Sequence, residues 1–76
     1  MTDYPIKCAL CDDLIHDVHG SHNPQPLDRS EDERCCGVCN SRIVLAARFY
    51  NVSKGRSPYA DMPAEEVDHF RRIALL

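Results

Sequence analysis

The stretch that decides how this chain folds is Arg34-Cys35-Cys36-Gly37-Val38-Cys39-Asn40, read together with Cys8-Ala9-Leu10-Cys11. Each contains a Cys-x-x-Cys pair, and residues 12–35 lie between the two pairs. A two-residue spacer folds the chain back so that both sulfurs face one point. Two such pairs form the tetrahedral shell of a structural zinc ion. The expected ligands are Cys8, Cys11, Cys36 and Cys39, around one structural Zn2+. The second pair falls where a long helix begins, so backbone N–H groups there would favour the negative charge of the thiolates. Three other readings stay open. The cysteines could be ordinary buried thiols or a redox pair. One of His16, His19 and His22 could replace a cysteine. Cys35 could stand in for Cys36, because ligand spacings of two to four residues are accepted. Cys36 is preferred because its spacer matches that of the first pair, which leaves Cys35 as a buried neighbour or a spare thiol.

Length explains why a staple is needed. Seventy-six residues bound the chain to a single domain over 1–76. A chain this short buries too little apolar surface to be comfortably stable without a disulfide, a metal or a partner chain. Trp is absent, there are two Phe and three Tyr, and much of the apolar fraction is Ala and Cys, so the core must be thin. The N-terminus, Met1-Thr2-Asp3-Tyr4-Pro5-Ile6-Lys7, has neither a basic start nor a long apolar run, so no signal peptide is expected. No stretch approaches the length of a membrane span. A cytoplasmic, reducing compartment is the expectation, and there paired cysteines read as metal ligands before disulfides. The formal charge is −3. Four thiolates and a dication would bring it to about −5, which disfavours non-specific binding to phosphate backbones.

The elements follow from local signals. Residues 16–34 are rich in turn formers, with short strands expected at most around Leu14–Val18 and near Leu27. Val38 to Tyr50 contains no Pro or Gly and is rich in helix formers. On that helix Ile43, Val44, Ala47 and Tyr50 share one face, and Leu45, Phe49 and Val52 an adjoining one. Asn51 to Tyr59 reads as a loop, with Gly55 and Ser57-Pro58 ending any helical pattern. A second helix is expected from near Asp61-Met62-Pro63 to Leu76. Asp61 or Met62 would cap it, with Glu65 and Glu66 at its positive end and Arg71 and Arg72 at its negative end. Val67, Phe70 and Ala74 form its apolar stripe, with Ile73 beside it. The fold class is thus a small zinc-stabilised α+β protein. A treble-clef-like finger of knuckle, short strands and helix spans residues 8–50, and a C-terminal helix spans residues 61–76.

Two other features bear on function. Ile15-His16-Asp17-Val18-His19-Gly20-Ser21-His22 could in principle supply Asp and His ligands to a catalytic divalent ion. No second acidic cluster stands at a spacing that would complete such a site, so the stretch reads as a polar surface loop. Arg42, Arg48, Lys54 and Arg56 could form a local basic strip for nucleic acid, but spread along a helix they read as its solvated face.

The string Cys8-x-x-Cys11, His22-Asn23-Pro24-Gln25-Pro26-Leu27, Arg34-Cys35-Cys36-Gly37-Val38-Cys39-Asn40 resembles small zinc-finger proteins of phages, large DNA viruses and some bacteria. The resemblance covers about residues 8–48 and implies a zinc fold and a viral or mobile-element origin, with no activity attached. A more distant resemblance is to the zinc-binding region of phage recombination endonuclease VII, a relative of the HNH nucleases. It would assign catalytic roles to Asp17, His19 and Asn40, but the doubled Asp-His pattern of that family is missing here.

The sequence therefore points to a non-enzymatic interaction module that binds a host or viral protein, or self-associates through its helices. The surface formed by Val67, Phe70, Ile73, Ala74, Leu75 and Leu76 is wider than one finger needs: either it docks entirely on Ile43, Val44 and Ala47 of its own chain, or part of it, with Phe49 and Tyr50, faces that partner. A nucleic-acid-binding finger and a degenerate nuclease are the alternative classes.

Overall fold

The computed structural model describes residues 4–30 and 32–75. Strand β1 (Ile6–Lys7) pairs antiparallel with β2 (Leu14–Ile15) in the register Ile6↔Ile15 and Lys7↔Leu14, and the turn between them carries the first cysteine pair. Strand alternation sends Ile15 inward and Leu14 to solvent. The strand expected to reach Val18 stops at Ile15. Asp17 ends it by accepting the Gly20 N–H through Oδ1 at 3.0 Å, capping a 3-10 turn at Val18–Gly20. Strand β3 (Ser21–His22) then pairs antiparallel with β4 (Cys35–Cys36), with Ser21 opposite Cys36 and His22 opposite Cys35.

No strand forms near Leu27. Pro24 and Pro26 have no N–H to offer a ladder, and the chain turns instead, with Leu27 and Asp28 both donating to the Pro24 carbonyl. Leu27 is nonetheless in the core, as are both prolines. The loop is tied down by Arg48, whose guanidinium donates to the carbonyls of Gln25 and Asn23, each at 2.9 Å.

The long helix is continuous over residues 37–53. It opens with an α-turn at Gly37–Cys39, widens into a π-turn at Asn40–Val44 and returns to α geometry at Leu45–Ser53. It runs past Tyr50, where the sequence pattern places its end. Asn51 explains the extension. Its side chain is fully buried and donates from Nδ2 to the carbonyls of Pro58 and Ala60, each at 3.1 Å, so the following loop folds back over the last helical turn. Gly55, at φ +75°, closes the helix in the left-handed conformation that glycine adopts without cost.

The C-terminal helix spans Ala64–Ala74. Pro63 occupies the cap position rather than Asp61 or Met62, and Asp61 instead pairs with Arg29 at 2.7 Å. The helix packs on the Asn40–Val44 turn of the long helix. Phe70 is buried and meets the Tyr50 ring edge-on, with centroids 5.7 Å apart. Val67 and Ala74 are half-buried against the same core. The central residues of that surface are spent on the chain's own core, while Ile73 and Leu75 stay exposed and Leu76 lies outside the described residues.

A polar latch reinforces the helix pair. Glu66 accepts from Arg56 at 2.8 Å and from the Tyr50 hydroxyl at 3.1 Å. The Arg56 guanidinium beside it holds the Glu66 carboxyl below its ordinary value. A carboxyl depressed by folding contributes stability above its unfolded pKa and loses that contribution as pH falls through the folded value. An NMR titration of the side-chain carboxyl is expected to show the Glu66 midpoint rising when Arg56 is changed to Met. An unchanged midpoint would mean that the latch does not form in solution.

Candidate metal centre

The site is built by the two elements the spacing implied. Cys8 and Cys11 sit in the β1–β2 turn. Cys36 ends β4 as the N-cap of the long helix, and Cys39 lies in its first turn. One ligand atom from each of the four lies within 4.8 Å of the others, so the set is positioned to coordinate one metal ion. The Cys11 and Cys36 sulfurs are 3.8 Å apart. A tetrahedron with metal–sulfur bonds of about 2.3 Å has an edge of about 3.8 Å, whereas a disulfide would bring the sulfurs to about 2.05 Å. The geometry fits a metal and excludes a bridge, and all five cysteines are free.

Backbone donors aim at the sulfurs. The Leu10 and Cys36 N–H groups donate to Cys8 Sγ at 3.4 and 3.3 Å, and the Cys39 N–H donates to Cys36 Sγ at 3.4 Å. Burial pushes the Cys8 thiol up, but donors from Cys36, Cys11 and Leu10 outweigh it, and the net shift is downward. Burial dominates at Cys11, which is pushed up to about 11. It also dominates at Cys39, which is pushed further up, with the sulfurs of Cys11 and Cys36 adding to the effect. Four packed sulfurs cannot all shed their protons unless a cation sits among them. A soft dication meets that demand, and its binding releases protons.

The turn at the first pair depends on Asp12. Cys8 donates to the Asp13 carbonyl at 2.7 Å and Asp12 to the Cys8 carbonyl at 3.0 Å, which closes the knuckle. Closure puts Asp12 at φ +66°, the one positive φ at a non-glycine residue among those described. Asp tolerates this region better than most residues because its short polar side chain bonds locally. An Asp directly after a Cys-x-x-Cys is a usable sequence signal for this turn, but spacing arguments alone pass over it.

Cys35 lies outside the set. It is fully buried, its neighbour in the β3–β4 ladder is His22, and burial pushes its thiol up to about 12. That is the environment of an unreactive core thiol. His16, His19 and His22 join no group of three or more metal-ligating side chains among the described residues, and neither does Asp17. Asp17, which the nuclease resemblance would make catalytic, spends Oδ1 on the Gly20 N–H. The basic strip is also partly committed, with Arg48 clamping the proline loop and Arg56 bound to Glu66.

One contact that spacing did not suggest links the centre to the far end of the chain: Arg71 of the C-terminal helix donates to the Ala9 carbonyl inside the knuckle at 3.0 Å. Compared with protein-family models, with curated proteins and with solved structures, the chain matches none.

Elemental analysis of freshly purified protein is expected to find one zinc per chain. Cys8→Ser, Cys11→Ser, Cys36→Ser and Cys39→Ser should each lower that content, while Cys35→Ser keeps it. Loss of metal in Cys35→Ser, with retention in Cys36→Ser, would reassign the fourth ligand. For the turn, Asp12→Gly should leave thermal stability unchanged or raise it, and Asp12→Val should lower it by about 1–2 kcal/mol, the cost of a left-handed conformation at an ordinary residue. Equal stability of the two variants would show that the positive φ is not maintained.

Proposed function

We propose that this chain is a non-enzymatic interaction module in which a structural zinc ion, held by Cys8, Cys11, Cys36 and Cys39, fixes a helix that another protein docks on. The order of knuckle, paired strands and a helix starting at the second cysteine pair supports a treble-clef reading of the finger. Four sulfurs with backbone donors and no open ligand position suit a closed structural site rather than a catalytic one. The single observation that carries the interaction reading is the outer side of the long helix. Leu45, Phe49 and Val52 are all exposed there, and Phe49, one of only two Phe in the chain, is 75% exposed. A domain with so thin a core gains from burying every large apolar side chain it has, and a cluster left in water marks an interaction surface. The resemblance to phage and viral finger proteins makes a host or viral protein in a cell's cytoplasm the natural partner. Among the described residues, no helix is long and apolar enough to cross a membrane.

The test is capture from host-cell lysate by tagged, zinc-loaded protein, quantified against the Cys36→Ser variant, alongside incubation of plasmid and branched DNA with Mg2+ or Mn2+. The expected result is a protein retained by the zinc-loaded form and lost by Cys36→Ser, with both DNAs intact. Cleavage that disappears in both Asp17→Ala and His19→Ala would replace this reading with a nuclease.

A further inference from the structure

The peptide group between Ala9 and Leu10 lies within the first cysteine pair. Its N–H, on Leu10, donates to Cys8 Sγ at 3.4 Å, and its carbonyl, on Ala9, accepts from Arg71 Nη2 at 3.0 Å. One rigid planar unit thus joins a metal-ligating sulfur to a guanidinium 62 residues further along the chain. The preceding peptide is held as well, with the Ala9 N–H donating to the Arg34 carbonyl at 2.8 Å. Cys8 and Leu10 are buried and Arg71 is half-buried, whereas its neighbour Arg72 is exposed. Arg71 is placed by Phe70 beside it, which is buried against the Tyr50 ring and fixes the helix. The end of that helix does not close on the cysteine-bearing turn by packing. A cleft of about 240 Å3, lined by Val38, Cys39, Arg42, Ile43, Ile73 and Ala74, stands between them.

We propose that Arg71 is a positioning residue of the metal centre. It holds the Ala9 carbonyl so that the Leu10 N–H of the same peptide stays aimed at Cys8 Sγ, and the C-terminal helix thereby sets how tightly the knuckle keeps its zinc. The inference rests on the zinc site of the proposed function and is independent of what docks on the long helix. The second cysteine pair needs no such support, because helix hydrogen bonds fix its peptides and the Cys39 N–H already meets Cys36 Sγ. A knuckle peptide has no helix ladder to fix it. A hydrogen bond from a charged donor is about twice as strong as a neutral one. A cation on the carbonyl also polarises the peptide and strengthens what its N–H donates. Such donors count at this site, because four thiolates around one dication leave a surplus of negative charge to be spread. Outer partners that orient a metal's ligands typically change affinity by about 10–100-fold when removed.

The test measures the zinc affinity of the full-length protein by competition with a chromophoric chelator. Arg71→Met is expected to bind zinc at least about tenfold more weakly, and Arg71→Lys, which keeps a cationic donor, to recover part of the loss. Arg56→Met is the control, because it loosens the same helix at its other end, where Arg56 bonds Glu66. Its zinc affinity should stay near the wild-type value. In wild-type protein loaded with an NMR-active cadmium isotope, the Leu10 amide proton should show scalar coupling to the metal through Cys8 Sγ, and Arg71→Met should reduce it. Three results would each overturn the inference: wild-type affinity in Arg71→Met, an equal loss in Arg71→Met and Arg56→Met, or no Leu10 coupling in the wild-type protein. The last decides the matter even if Arg71→Met does not fold. Wild-type protein that takes up no metal would remove the centre itself, whereas full zinc binding by Arg71→Met would remove only the role of Arg71.

Discussion

Everything in this structure hangs on the convergence of four sulfurs from two distant segments. Cys8 and Cys11 come from a hairpin turn and Cys36 and Cys39 from a helix start, and the Ala9 N–H donates to the Arg34 carbonyl at 2.8 Å beside them. The β1–β2 hairpin delivers Ile15 to the core, β4 leads directly into the long helix, and the knuckle's Ala9 carbonyl receives Arg71 from the C-terminal helix. Among the described residues the buried apolar core numbers ten, and three of them are cysteines. Net stability of ordinary domains is about 5–15 kcal/mol, and structural zinc contributes about 10–16 kcal/mol in finger peptides. A zinc ion bound by these sulfurs would supply a term as large as the whole balance to a core this thin.

The geometry of the centre also explains why two consecutive cysteines do different work. Cys35 and Cys36 are neighbours in a strand, and strand alternation sends their side chains to opposite sides. Cys36 turns toward the knuckle and accepts from the Cys39 N–H, while Cys35 turns into the core and is fully buried. A ligand swap would require a one-residue slip of β4 against β3, which would turn Cys35 toward the cluster and drive Cys36 into the core. Register, and not thiol chemistry, selects the ligand.

The sequence was most legible where chemistry is tied to short spacing. The paired cysteines predicted the cluster, and helix-forming runs located both helices to within a few residues. It was least legible where a single side chain acts at long range. Nothing local says that Asn51 will bury its amide under the loop and extend the helix, that Arg48 will clamp the proline loop, or that Arg71 will reach the knuckle, because each bond closes only once the fold exists. Leu27 shows a mixed outcome: its burial was readable from its apolarity, while its pairing was not, because the flanking prolines lack donors. Asp61 was read as a cap from its position before Pro63, yet a partner thirty-two residues earlier, Arg29, holds its carboxylate.

The two phenylalanines show how the helices divide their tasks. Phe70 closes the core against Tyr50, so the C-terminal helix serves the fold. Phe49, one residue before Tyr50, points away from it, with Ala46 and Ser53 as its neighbours three and four positions along the helix. Both neighbours are small and exposed. A long Lys or Arg at either position could lie across the ring and shield it from water, and the chain places its nearby arginines elsewhere, on carbonyls and on Glu66. The π-turn at Asn40–Val44 inserts an extra residue below this point and so sets the rotation at which Leu45–Ser53 leaves the core. In a strict α-helix the outer residues would be turned relative to the buried Ile43 and Val44. The exposed stripe is thus a consequence of how the helix is wound onto the cysteine cluster, and the centre that stabilises the fold also aims the surface.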